Sequence, residues 1–274
     1  MAVTIQPTGV FTAWPTLTDS GAGSGVEEAL GQDPGDVNPP IIFEPNYELA
    51  GDDTVIWIIA TGGANWGGAQ VHASLDDTTY ALIGGVVAGA AQGLVAGTGL
   101  PSHSDPDTAD TLSVNLSMSR GTLVSGTTDD ADFMVPTLAY CDHELIAFSA
   151  ATLTSAYHYD LDTYIRRGCY DTTIASHAAG TQFAWVRTPF TYQYPRNLIG
   201  TTVYFKFPSF NKLGGELQDL ADCVAYPYTL TGFGLKPASS TTTSAGWSLP
   251  LVTGDTPGPD PIADGFGQFI AVPV

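Results

Sequence analysis

The chain has 274 residues, a formal net charge of −20 and 43% hydrophobic residues. It is long enough to bury a sizeable core and too acidic to hold a nucleic-acid backbone or an anionic membrane surface by charge, which excludes stable nucleic-acid binding. With 31 Gly and 19 Pro against only 13% charged residues, the composition favours strands and turns over long helices; the expected class is mainly β, an antiparallel barrel or sandwich built from hairpins with extended terminal arms.

Residues 1–40 mix Thr, Gly, Pro and Asp and close on Asn38-Pro-Pro40, the composition of an arm or linker, with Phe11 and Trp14 as candidate interface residues. Met1–Gly25 lacks both the basic start and the apolar core of a secretory leader. A β-rich domain is expected over 41–237, with a candidate division into two subdomains near 190–200, followed by a C-terminal extension over 238–274. Thr54-Val-Ile-Trp-Ile-Ile-Ala60 is an apolar run of strand length. Ala69–Leu75 then alternates, and Asp76-Asp-Thr-Thr79 turns the chain back into Tyr80–Ile83, a hairpin with one wet face that carries His72. Tyr80–Pro101 is uncharged, but its six glycines and its flanking Asp77 and Asp105 predict a strand and a Gly/Ala-rich loop, with no membrane span.

Residues 97–111 read as a polar loop, and Thr111–Ser117 and Thr122–Val124 as strands. From Glu144 to Val186, short β-branched and aromatic runs separated by Gly, Ser, Thr and Asp predict consecutive antiparallel strands. Thr201–Phe207 is a further strand closed by Pro208, Leu217–Val224 is expected to make one or two helical turns, and Tyr226–Leu235 a last strand pair. Gly265–Val272 is a candidate terminal strand in which Phe266 and Phe269 are candidate interface residues.

Few constellations point to chemistry. Cys141-Asp-His-Glu144 offers at most two metal ligands on one strand face, fewer than zinc requires, and reads as a turn beside a buried thiol. Asp160 and Asp162 share a strand face next to Arg166-Arg167, which suits salt bridges better than paired catalytic carboxylates. Asp129-Asp-x-Asp132 lacks the Gly and distal Glu of a calcium loop and reads as an acidic turn. The three cysteines, Cys141, Cys169 and Cys223, are widely spaced and odd in number, which predicts reduced, buried thiols. Neither a nucleophile elbow nor a phosphate-cradling glycine loop occurs, so no catalytic residue, cofactor or metal is assigned. A sugar- or receptor-binding module is the alternative class, with Trp66, Tyr80, Tyr192 and Tyr194 as candidate stacking platforms.

Glu144-Leu-Ile-Ala-Phe148, Tyr159-Asp-Leu161, Ile165-Arg-Arg-Gly168, His177-Ala-Ala-Gly180 and Phe183 form an ordered series. Trp66-Gly-Gly-Ala-Gln-Val71 lies upstream of it, and Gly200-Thr-Thr-Val-Tyr-Phe-Lys206 and Tyr228-Thr-Leu-Thr-Gly232 downstream. Over roughly residues 41–237 this series resembles the carboxyl-terminal region of the tail-hub proteins of tailed phages and gene transfer agents. The resemblance implies a non-enzymatic virion component of the hub, baseplate or tail tip, assembled in the host cytoplasm. It further implies a homo-oligomeric, threefold ring between the distal tail protein and the fibre or receptor-binding proteins. The family's basic turn is replaced by Arg166-Arg-Gly-Cys-Tyr-Asp-Thr172, so a charge contact made there in the family need not carry over.

Overall fold

The computed structural model describes residues 32–134, 136–214 and 217–237. The chain divides into two compact units, Met1–Lys236 and Pro237–Val274, and every element below belongs to the first. Phe11, Trp14, Phe266, Phe269 and the candidate terminal strand lie outside the described residues.

The architecture is antiparallel β throughout, as composition predicts. Strands β1 (Ile41–Phe43) and β2 (Val55–Ile59) pair, and the short helix α1 (Tyr47–Ala50) lies between them in the chain. Then come the long strand β3 (Trp66–Ser74) and its hairpin partner β4 (Ala81–Val87). Six consecutive strands follow: β5 (Gln92–Val95), β6 (Leu112–Asn115), β7 (Leu138–Cys141), β8 (Glu144–Ser155), β9 (His158–Arg166) and β10 (Gln182–Trp185). They close into a barrel in the order β10-β5-β6-β9-β8-β7. After it, β11 (Phe190–Gln193) returns to β2, while β12 (Thr202–Lys206), β13 (Ser209–Asn211) and β14 (Tyr226–Thr229) complete the sheet of β3. The barrel is therefore an insertion between the two halves of a β-sandwich.

One strand links the two bodies. Along β2, side chains alternate between faces: Ile56 and Ile58 enter the sandwich core with Val71, Val203 and Phe205. Ile59 and Trp57 face the other way, joining Ile41 and Phe43 against the barrel residues Leu138, Tyr140, Leu145 and Ala184. Burial on both faces explains why this run is continuously apolar where the half-wet β3 alternates. The end of the expected N-terminal arm is also tied down, because Val37 is buried in the sandwich core and Asn38 donates its N–H to the Thr61 carbonyl at 2.7 Å.

The barrel interior is filled by inward positions two residues apart, among them Leu112 and Val114, Ile146 and Phe148, and Phe183 with Trp185. Asp142 and His143, both at positive φ (44° and 70°), form the two-residue turn between β7 and β8, which pairs Cys141 with Glu144. That turn fixes the register that places Glu144 on the inward face, two residues before Ile146.

Several local expectations change. The Gly/Ala-rich stretch after β4 contains a barrel strand, β5, because its glycine answers a close approach: a Cβ on Gly93 would lie 2.0 Å from the Asn115 carbonyl oxygen on β6. Thr122–Val124 pairs with no strand among the described residues; Leu123 plugs the barrel core while Val124 stays exposed. The acidic turn at 129–132 is a helix, α2 (Thr128–Phe133), closed by a reciprocal capping box between Thr127 and Asp130. Leu217–Val224 forms turns, since the Asp219 carboxylate accepts the Ala221 N–H at 2.9 Å and competes with helix formation. Tyr226–Leu235 is one strand and a loop, because the Glu44 carboxylate takes the N–H groups of Thr231 and Phe233, both at 2.7 Å, away from any ladder.

Gly93→Ala is expected to lower the unfolding free energy by about 1–3 kcal/mol through this steric conflict. Gly63→Ala, where an added Cβ meets nothing within 4 Å, is expected to change it little. Urea titration of both variants checks the pair.

Candidate functional site

The residues that carry the sequence motifs meet at one end of the barrel. Glu144 opens β8 on the inward face, Arg167 follows β9 directly, and His177 lies on the connection to β10. Two isolated bridges hold the flanking loops in place. Leu100 and His177 exchange backbone hydrogen bonds of 2.8 and 2.7 Å, and Asp107 and Ile165 exchange bonds of 2.8 and 2.9 Å. The polar loop at 97–111 is thereby folded over the barrel mouth.

Beneath it, Glu144, Arg167 and Asp107 have fully buried side chains, and His177 is 2% exposed. The guanidinium of Arg167 grips Glu144 with two bonds, Nε to Oε1 at 2.8 Å and Nη2 to Oε2 at 3.0 Å. It also donates to the carbonyls of Pro101 and Ala175 and stands 3.5 Å from Asp107 Oδ2. Glu144 accepts further bonds from the N–H groups of Gly168 (2.9 Å) and Ala175 (3.0 Å) and from His177 Nε2 (2.8 Å). An ionised carboxylate only accepts, so Nε2 is assigned the His177 proton. Burial works to raise the Glu144 carboxyl, but the hydrogen bonds from His177, Arg167, Ala175 and Gly168 outweigh it and hold the group down at about 2.

A second, more exposed layer surrounds this knot. Asp105 accepts Arg166 Nε and Nη2, each at 2.8 Å, and the Arg167 N–H at 2.9 Å. Arg166 reaches on to Asp132 of α2 at 2.8 Å, and Tyr164 donates to the same carboxylate. Asp160 and Asp162 are thus not the partners of the two arginines: Asp160 accepts the Ser113 hydroxyl across the β6–β9 pair, and Asp162 that of Thr163. Sequence spacing put these carboxylates beside the arginines but could not show that a loop sixty residues upstream would supply the nearer ones.

His103, Asp107 and Asp110 bring their ligand atoms within 4.8 Å of one another, the one such group among the described residues. Asp107 Oδ1 is already occupied by the N–H groups of Ala109 and Asp110, and the Arg167 charge competes with any cation, so no metal is assigned. Cys141 and Cys169 are buried, and burial pushes both thiols up to about 12, which leaves them unreactive. His143 sits in the exposed turn with its Nδ1 3.2 Å from the Tyr140 hydroxyl.

The four candidate stacking residues are not brought together. Trp66 is 4% exposed and donates its indole N–H to Ser209, while Tyr194 is 2% exposed with its hydroxyl accepting the Gly232 N–H. Both are core residues, closed to a sugar. Tyr192 packs edge-on against Phe205, and Tyr80 is covered by the Lys206 ammonium 5.0 Å from its ring centre. No helix is long and apolar enough to cross a membrane among the described residues.

A family model described as Rcc01698-like, C-terminal, matches residues 90–184. That interval spans the barrel from β5 almost to the end of β10, with Glu144, Arg167 and His177 inside it. No curated protein matches the chain.

Glu144→Gln is expected to cost about 3–5 kcal/mol of stability, because it removes the charge that grips buried Arg167 with two bonds and leaves only Asp107, 3.5 Å away. A carboxyl held below its ordinary value of 4.5 contributes stability that is fully present above that pH and is lost as pH falls toward about 2. Denaturation followed between these two pH values is therefore expected to show a steeper loss in the native chain than in Glu144→Gln.

Proposed function

We propose that this chain is a structural protein of a tailed-phage or gene-transfer-agent-like particle. In this reading it is a hub, baseplate or tail-tip subunit, assembled as a ring in the host cytoplasm, that joins the tail tube to tip or fibre proteins. One observation carries the reading. Glu144, Arg167 and His177, from three separate motifs that resemble those of tail-hub proteins, converge on one buried knot. The resemblance thus follows a three-dimensional contact set that composition alone would not reproduce. The knot serves as a brace: it is sealed from solvent, and the Glu144 oxygens are filled by donors of the chain itself.

The edge of the sandwich supports assembly. Strand β4 pairs only with β3 among the described residues, so its other edge carries unmatched backbone groups. Residues 80–101 contain no charged side chain in a chain of net charge −20, and Leu82 and Val87 are 57% and 75% exposed. Soluble proteins ordinarily guard such an edge with Lys, Pro or a covering element. Here it offers the stretch where two acidic copies approach with least repulsion.

Immunogold labelling of particles that contain the chain is expected to mark the distal end of the tail tube, with a threefold ring in averaged images. Label on peripheral fibres alone, or none on the particle, would overturn the proposal. Leu82→Lys is expected to shift the purified protein toward monomer in light scattering while leaving its circular dichroism unchanged, since the side chain is exposed.

A further inference from the structure

A cleft of about 290 Å³ opens where the barrel and sandwich meet. Phe43, Tyr228 and Phe233 line it from the sandwich side, and Tyr140, His143 and Asp171 from the barrel side. We propose that this cleft is a receptor for one cationic side chain, an arginine or a lysine, presented by a neighbouring protein chain.

The walls suit a cation. Aromatic residues of both bodies line the space, with Phe43 and Tyr140 buried against each other and Phe233 49% exposed at its edge, so the ring open to a guanidinium or ammonium group is chiefly that of Phe233. The Tyr228 hydroxyl accepts the Glu44 N–H at 3.1 Å, and burial, the first cause, raises the group further from ionisation. The exposed Asp171 carboxylate makes no hydrogen bond or ion pair among the described residues, and no Lys or Arg lines the cleft. Glu44 is spent internally: its oxygens accept the Thr231 N–H and hydroxyl and the Phe233 N–H, which holds the Phe233 backbone at the cleft.

Two turns flank the cleft and place His143 and Asp171 on it. Asp142 and His143 on one side, Tyr170 and Asp171 on the other, all adopt left-handed conformations, with φ of 44°, 70°, 54° and 59°. A neutral sugar would use the rings but leave the Asp171 charge unanswered, whereas a basic side chain satisfies both. The source is assigned to a protein partner because a chain of net charge −20 attracts basic surfaces.

The test is calorimetric titration of the full chain with N-acetyl-arginine amide, N-acetyl-lysine amide and the uncharged isostere N-acetyl-citrulline amide. Saturable binding of a cationic probe, no binding of citrulline, and weakening by salt are expected. Asp171→Asn keeps the left-handed backbone, which Asn tolerates well, and is expected to weaken the cation about tenfold, as is Phe233→Ala. Circular dichroism checks that both variants fold. Equal binding of citrulline, binding unchanged in Asp171→Asn, no saturable binding of either cation, or uptake of a monosaccharide in place of the cations would each overturn the proposal. None of these outcomes depends on whether the chain occupies a tail tip.

Discussion

The buried pairing of Glu144 with Arg167 is the constraint around which the barrel is arranged. Strand alternation puts position 144 on the same inward face as Ile146 and Phe148, so a carboxylate enters a space otherwise filled by hydrocarbon. A charge there is tolerable only if it is paired and its remaining lone pairs are filled. The chain meets that demand with a guanidinium, an imidazole and two backbone N–H groups, all drawn from the segment that follows β9. The loop at 97–111 comes down over the mouth, where Arg167 donates to the Pro101 carbonyl and has the Asp107 carboxylate 3.5 Å away as a second countercharge.

The knot also selects one register. A slip of one residue in the β7–β8 hairpin would turn Glu144 into the apolar seam that Leu145 fills with Ile41 and Phe43, and would strand Arg167. The two-residue turn at Asp142–His143 and the ion pair therefore enforce the same alignment from opposite ends of the problem, one through backbone conformation and the other through charge. A buried ion pair contributes little net stability against a hydrophobic alternative, so its value here lies in specifying which strands and loops meet.

Barrel and sandwich are joined through a wall only one sheet thick. Ile58 and Ile59, adjacent in sequence, belong to different cores, so displacement of β2 is felt in both bodies. The aromatic cleft lies on the same seam, where residues from before, within and after the barrel insertion come within reach of one another. The uncharged edge of β4 lies on the sandwich, outside the interval of the family match, so brace and edge belong to different bodies.

Sequence by itself determined the β class, the strands with clear alternation or β-branched runs, and the burial of the thiols. These are local properties: side-chain period, backbone propensity and turn chemistry are written in neighbouring residues. Gly93 was misleading because the same residue marks a loop when nothing is near and a strand when another backbone is. Trp66 and Tyr194 stood as candidate platforms beside a core reading because aromatic character does not say which face is wet. The tertiary structure alone decided barrel closure, the insertion of the barrel into the sandwich, and the choice of Glu144, Asp107 and Asp105 over Asp160 and Asp162 as partners of the two arginines. The physical reason is that charge pairing depends on distance in space, and distances across 23 to 62 residues are set by sheet topology, which no local pattern encodes.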